Sequence, residues 1–312
     1  MSAILVLGGG GAVGSEILAD LRSRGHRVGS AGRSLHPDPA AGSYRLDIRA
    51  DPDSLGAAAA GWDAVINASG LEDPTLPARA PHALWVDISA TGEYLAALAR
   101  PGIAPGGAVL GVGIAPGITG ILAAAVVRRD PGPIDTAILL GSGEKHGPAA
   151  LDWTFGALGQ RLTDPETGEK ILAYTRPRRF RDGTRWRTLT RVDFADPLLL
   201  SPRLGVPVRT YFATESRLAN AALRIGARAP IIAPLLKRIA LPGSEDWWIA
   251  AHGRSGTVIE ARGSRQSLAT ALVAARATEA ALNASDPGRI WYGPDLLGPA
   301  ELAAIPGITV RD

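Results

Sequence analysis

The sequence predicts an α/β protein, a doubly wound parallel sheet followed by a second α+β domain built on antiparallel strands. Three features predict it. The chain opens on a short apolar run that ends in closely spaced glycines and passes into a helical pattern. Strand-like and helix-like segments then alternate as far as residue 128, the rhythm of parallel βαβ units. From residue 131 the rhythm changes to alternating segments joined by turn residues, as in hairpins.

Residues 4–7, Ile-Leu-Val-Leu, are apolar without a break, as in a strand buried on both faces. Gly9-x-Gly11-x-x-Gly14 follows, and 15–24 reads as a helix with Ile17, Leu18 and Leu21 on one face. In this strand–turn–helix setting Gly9 allows the tight turn. Gly11 lets a pyrophosphate approach the backbone, and Gly14 brings helix and strand together. With Ala12 and Val13 they form the expected cradle of a Rossmann dinucleotide fold, where the helix N-terminus offers N–H groups to phosphate.

The second strand, 27–31, ends in Gly32-Arg33-Ser34. At this point an acid would bind the ribose 2′-OH of NAD, whereas arginine suits a 2′-phosphate. No acid stands here. The planar fork of Arg33 and the hydroxyl of Ser34 make NADP (NADPH) the expected cofactor, ahead of NAD. A third strand, 44–48, carries Asp47 near its end, toward the adenine side. A helix over 53–60 is capped by Asp51 or Asp53.

The fourth strand, 63–68, runs into Ala68-Ser69-Gly70, a small-residue loop expected at the carboxyl edge of the sheet, facing the cofactor. The fifth, 84–88, turns at Ser89 toward a helix over 94–99. The sixth, 108–112, meets Gly113-Ile114-Ala115-Pro116-Gly117 and an apolar helix over 118–128. Pro116 permits a sharp turn there, and the loop reads equally as a plain crossover or as a cofactor contact.

In the second half a strand over 134–140 and a helix over 149–162, with Trp153, Leu158 and Leu162 among its apolar positions, precede a hairpin of 170–181 and 185–194 about Asp182-Gly183. Helical stretches over 216–225 and 230–239, a hairpin of 246–252 with 257–263, and an Ala-rich helix over 268–283 follow. A short helix over 299–304 and a strand over 308–310 close the chain. The first hairpin crowds Arg176, Arg178, Arg179, Arg181, Arg185, Arg187 and Arg191 together. They read as a solvated or interface face, with substrate carboxylate binding as the second reading. In Trp247-Trp248 a strand forces one ring away from the core, to cover a substrate or a subunit partner.

Composition excludes several classes. With 33 basic and 30 acidic residues in 312, a net charge of +3 gives no electrostatic footprint for nucleic acid. The absence of cysteine removes disulfides and thiolate metal sites. His26, His36 and His82 have no ligand-like spacing, so no metal is expected. The first residues lack the basic and apolar blocks of a secretory signal, and no long charge-free apolar run is present. A soluble, cytoplasmic protein with no membrane partner is expected. Candidates for acid–base work are His146 and Lys145, in a loop after a strand, with Asp152 and Trp153 as pocket-lining candidates. Each also has a plainer reading, as a solvated loop or core residue.

Taken in order, the fingerprint at 4–14, Ala64-Val65-Ile66-Asn67-Ala68-Ser69-Gly70, Trp85-Val86-Asp87-Ile88-Ser89, Gly113-Ile114-Ala115-Pro116-Gly117 and the closing Gly293-Pro294-Asp295-Leu296-Leu297 carry a resemblance. The chain resembles the saccharopine dehydrogenase-like (saccharopine reductase-like) NAD(P)-binding oxidoreductases. The resemblance implies reduction of an imine formed between an amine and a carbonyl compound, or the reverse. It also implies that the end of the chain returns to the nucleotide domain. The expected domains are therefore 1–116 with 285–312, and 117–284 for substrate and dimerisation. Gly141-Ser142-Gly143 and Trp153 stand where the family has a Gly-rich turn and a tryptophan at the cofactor. The expected function is NADP-dependent hydride transfer to an imine or carbonyl of a small metabolite, by a homodimer with its active site in a cleft between the domains. The alternative is a non-catalytic NADP(H)-binding redox sensor.

Overall fold

The computed structural model describes residues 1–144, 154–183, 185–232 and 243–312. It divides into two compact units, Met1–Gly117 with Ser267–Leu297, and Ile118–Gln266 with Gly298–Asp312.

The first unit is a doubly wound parallel sheet. Its strands are β1 (Ala3–Leu7), β2 (Arg27–Gly32), β3 (Ser43–Arg45), β4 (Ala64–Asn67), β5 (Leu84–Asp87), β6 (Ala108–Leu110) and, from far along the chain, a strand at Ile290–Tyr292. The order across the sheet places β1 between β2 and β4, with β5, β6 and Ile290–Tyr292 beyond β4. Every pairing is parallel. The chain order thus reverses at β1, and such a switch point opens a crevice at the carboxyl ends of the strands. β1 is buried throughout because both of its faces are covered, which explains its unbroken apolar run. Helix α1 (Ala12–Ser23) turns Ile17, Leu18 and Leu21 inward. Arg276 and Glu279 of the helix Gln266–Ala284 reach back to α1, Arg276 pairing with Asp20 at 2.8 Å and Glu279 with Arg24 at 2.6 Å.

The second unit holds a mixed sheet. Helix α2 (Ser54–Ala59) and helix α3 (Gly92–Leu98) belong to the first unit; helix α4 (Ile118–Arg129) opens the second. Its strands are β7 (Ile134–Leu140), β10 (Thr175–Asp182), β11 (Arg185–Arg191), β12 (Val208–Thr214), β13 (Asp246–His252), β14 (Val258–Ser264) and the last strand, β16 (Thr309–Arg311). Two short strands, β8 (Arg161–Thr163) and β9 (Lys170–Leu172), pair apart from it, and Ile290–Tyr292 counts as β15. The order is β10-β11-β12-β7-β13-β14-β16. All neighbours are antiparallel except β12 and β7, a parallel pair that the hairpin pattern did not indicate.

The β10–β11 hairpin bonds to β12 only at Thr190 and Arg191 and then leaves the plane of the sheet. Phe180 on β10 packs 5.1 Å from Tyr211 on β12 and 5.1 Å from His252 on β13. Arg178 pairs with Asp135 on β7, and Asp182 pairs with Arg262 on β14. The hairpin therefore lies across one sheet face, over Ala137, Leu139, Trp248 and Ala250. α4 packs on β7, β13 and β14.

Several expectations are corrected. Both tryptophans are 3 % exposed, so neither ring is free to cover a partner. Trp248 packs in the cluster under the hairpin, while the ring of Trp247 lies against Gly263. Of the seven hairpin arginines, Arg176, Arg178, Arg179, Arg181 and Arg185 are exposed, whereas Arg187 is half-buried and Arg191 buried, so the solvated-face reading fails only for the last two. Arg176 pairs with Glu169, Arg187 with Asp182 at 2.9 Å, and Arg179 lies 4.9 Å from the Trp186 ring. Arg191 is 1 % exposed, with Nη1 donating to the Thr210 carbonyl at 3.2 Å. Leu162 sits on β8, so the helix expected over 149–162 does not reach it; 149–153 lie outside the described residues, as do 233–239. Of the closing segment, Ile290–Tyr292 pairs with β6 in the first sheet. Thr309–Arg311, however, pairs with β14 in the second, because β14 presents a free edge within reach.

Candidate functional site

The turn after β1 sets the site. Gly8 takes φ +76°, so the left-handed position falls one residue before the glycine expected to make the turn. Gly11 N–H closes the turn onto the Gly8 carbonyl at 2.9 Å. A Cβ on Gly14 would lie 2.2 Å from that same oxygen, so only glycine lets α1 start this close to the strand. On Gly11 a Cβ would meet only the Gly8 oxygen, at 3.2 Å, which leaves that side of the loop bare. No side chain caps α1. Its first N–H groups are thus left for an external acceptor, and the helix dipole favours a negative one.

These features open on a cavity of about 260 Å³. Its walls come from the ends of β1 and β2 and from the segment after β3. Gly11, Arg33, Ser34, Asp47 and Ser69, separated widely in sequence, all line it. Leu35, Leu46 and Ile48 give it an apolar side, and Gly8, Gly10 and Arg49 complete the rim. Gly9, Ala12, Val13 and Gly14 shape the turn and helix without lining the cavity; Ala68, Gly70, Ser89 and Pro116 do not line it either. Arg33 and Arg49 have no ion pair among the described residues. Asp47 is turned to local work. β3 ends at Arg45, and the Asp47 carboxylate accepts from the N–H of Arg49 at 3.2 Å and of Ala50 at 3.4 Å.

A polar network missed in the sequence lies at the ends of β4 and β5. Asp87 is fully buried, and its Oδ2 accepts from Asn67 Nδ2 at 2.9 Å, Tyr94 Oη at 2.8 Å and Trp85 Nε1 at 3.1 Å. Its Oδ1 accepts from the Ser89 N–H at 2.9 Å. Asn67 in turn accepts from the hydroxyl of Ser69 at 2.7 Å, tying a cavity residue to the buried acid. Burial pushes the Asp87 carboxyl above its ordinary value, against the hydrogen bonds from Ser89, Asn67 and Tyr94, which favour the charged form. Burial, followed by the charge of Asp87, raises Tyr94 as well. The network fixes the loops that follow two adjacent strands. A charged residue closing an apolar strand, as Asp87 does, was its sequence signal.

The catalytic candidates Lys145, His146, Asp152 and Trp153 lie outside the described residues. Pro116 closes its loop, its carbonyl accepting from the Gly113 N–H at 2.8 Å. No metal-binding group of His, Cys, Asp and Glu occurs among the described residues. Nor is any described helix long and apolar enough to cross a membrane.

A parallel sheet with a glycine turn at its switch point, joined to a mixed α+β sheet, defines the class: an α/β fold of dinucleotide-binding type. No family model matches the chain, and no curated protein does. Among solved structures, an apo histidine-tagged saccharopine dehydrogenase (L-Glu forming) from Saccharomyces cerevisiae matches over 100 % of this chain and 99 % of its own. The identity is 12 % and the TM-score 0.63, so the two share a fold, as the resemblance implied. The WlbA (WbpB) dehydrogenase from Thermus thermophilus, in complex with NAD and UDP-GlcNAcA, matches over 87 % of this chain and 86 % of its own, at 12 % identity and a TM-score of 0.40.

Proposed function

We propose that this chain is an NADP-dependent oxidoreductase that transfers hydride between the nicotinamide and an imine or carbonyl of a small metabolite. The observation that carries the reading is the cavity beside the β1–α1 turn. The bare backbone at Gly11 and the uncapped start of α1 suit a pyrophosphate. Arg33 and Ser34, at the end of β2, suit a ribose phosphate, and Leu35, Leu46 and Ile48 offer a slot for a flat base. The nicotinamide supplies the hydride; the chain's own residues bind, orient and exclude water. The fold shared with a saccharopine dehydrogenase supports an imine or carbonyl as the partner in that reaction.

A side chain at Gly11 tests the reading at its centre. Gly11→Val would fill the bare side of the loop and meet the pyrophosphate. Calorimetry is expected to show NADPH affinity falling at least tenfold, with circular dichroism and melting close to those of the parent. Undiminished NADPH binding by the valine variant refutes the cradle.

A further inference from the structure

We infer that the helix Arg217–Arg228 gives the second unit a face that adsorbs to an anionic phospholipid surface. The helix packs on β12 through one side, where Leu223, Gly226 and Ala227 are buried. At about 3.6 residues per turn its opposite side holds two parallel stripes. One is apolar. Leu218 and Ile225, two turns apart, are 76 % and 60 % exposed, with Ala221 and Ala222 between them. The other is cationic: Arg217, Arg224 and Arg228 are all exposed. Ile231, just past the helix end, is 89 % exposed and adds a third large aliphatic side chain.

Scattered exposed leucines are ordinary, so the charge beside them decides the matter. The three arginines form no ion pair among the described residues; Arg228 Nη1 reaches only the Arg224 carbonyl of its own helix, at 3.2 Å. The sequence contains no Asp or Glu from 216 to 244. Glu215, the acid that precedes the helix, accepts from the Ser244 hydroxyl at 2.8 Å. The face is therefore positive. The chain's net charge of +3, which gave no sign of a membrane partner, averages this face with all the rest.

Three occupants suit an apolar and basic helix, and the residues favour one. A second copy would set these arginines against their equals, with no acid on the helix to match them. A protein partner is anchored by aromatic side chains in packed pockets, and residues 216–232 contain no aromatic residue. A lipid surface satisfies both stripes at once. Its acyl boundary takes separate aliphatic side chains without any matching pocket, and its phosphates take the guanidinium groups on their long stems. Adsorption needs only side-chain depth, which agrees with the lack of any described helix long and apolar enough to cross a membrane.

Flotation of the full chain at low salt tests the face, with vesicles of phosphatidylcholine alone or with about 30 mol % phosphatidylglycerol. Binding to the mixed vesicles is expected to be at least tenfold tighter and to fade as salt is added. Leu218→Gln with Ile225→Gln, and separately Arg217→Gln, Arg224→Gln and Arg228→Gln together, are each expected to weaken it at least tenfold. All five side chains are exposed, so circular dichroism and melting should match the parent. Arg22→Gln, Arg45→Gln and Arg100→Gln together remove the same charge from exposed positions of the first unit and are expected to retain binding. The inference is overturned if the parent floats with neither vesicle or equally with both. It is overturned too if either face variant binds like the parent, or if the first-unit variant loses binding as fully as they do. A dimer in sedimentation velocity that Leu218→Gln with Ile225→Gln dissolves assigns the face to a second copy instead. Capture on immobilised polyglutamate without vesicle binding assigns it to an acidic protein, and either result refutes the lipid surface.

Discussion

Asp196 is a buried acid without a partner among the described residues, and replacing it has a calculable consequence. It is the first residue of a nine-residue helix, α5 (Asp196–Leu204), and is 1 % exposed. Neither carboxyl oxygen has a hydrogen-bond partner; Thr119 Oγ1 lies near enough to favour the charged form slightly, without reaching bonding geometry. Burial pushes the carboxyl from its ordinary 3.8 up to about 7. At about 1.36 kcal/mol per factor of ten, carrying the charge in the folded state costs roughly 4 kcal/mol. The start of α5 favours a negative charge by only ~0.3–1 kcal/mol, so burial dominates and about 3 kcal/mol remains.

The sign follows from where the proton is held. The folded state keeps it to higher pH than the unfolded state, so the stability contribution is full below the unfolded value and is lost as pH rises through about 7. Asp193, also raised by burial to about 6, acts in the same direction, and comparing parent with variant cancels it. Asp196→Asn cannot ionise. Urea unfolding of both proteins at pH 5 and pH 8 is expected to show the variant gaining about 2 kcal/mol on the parent between the two, the rest having been lost below pH 5. Parallel stability across that range would mean that Asp196 is solvated or paired, and the reasoning fails.

Two further outcomes are expected. Asp87→Ala would strand the donors of Asn67, Trp85, Tyr94 and Ser89, each at a cost of about 1–3 kcal/mol, and so lower the melting temperature steeply; a variant melting with the parent would show the network to be dispensable. His252, its imidazole pushed down to about 4 by burial and then by Arg178, is expected to stay neutral at pH 5. Its contribution is full above the ordinary 6.5 and fades as pH falls toward 4; a proton-NMR midpoint near 6.5 refutes the burial.

What the sequence disclosed depended on where each segment's neighbours come from. β1, β4 and β5 were legible because a strand covered on both faces must be apolar throughout, and the turn after β1 because close approach requires glycine. α5 was missed because Pro197 and Pro202 break the helical pattern, although a proline near the start is tolerated. β12 was missed too. Lying between β11 and β7, it is buried on both faces and shows no alternation. Arg191 looked solvated because its cover, Tyr211 and Thr210, comes from β12. The outward Trp of β13 likewise assumed an open sheet face, whereas a hairpin more than fifty residues earlier in sequence order lies across it. Of the site, Arg33, Ser34, Asp47 and Ser69 were found from their positions at strand ends; Arg49 and the Asp87 network carry no motif.

The central claim is that the cavity beside the glycine turn takes NADP and reads its phosphate through Arg33. Calorimetric titration of the parent and Arg33→Ala with NADPH and NADH tests it most directly. NADPH is expected to bind the parent at least tenfold more tightly than NADH, and alanine to erase most of that ratio while leaving NADH affinity near its original value. Equal affinity of the parent for the two nucleotides, or a ratio untouched by Arg33→Ala, contradicts it.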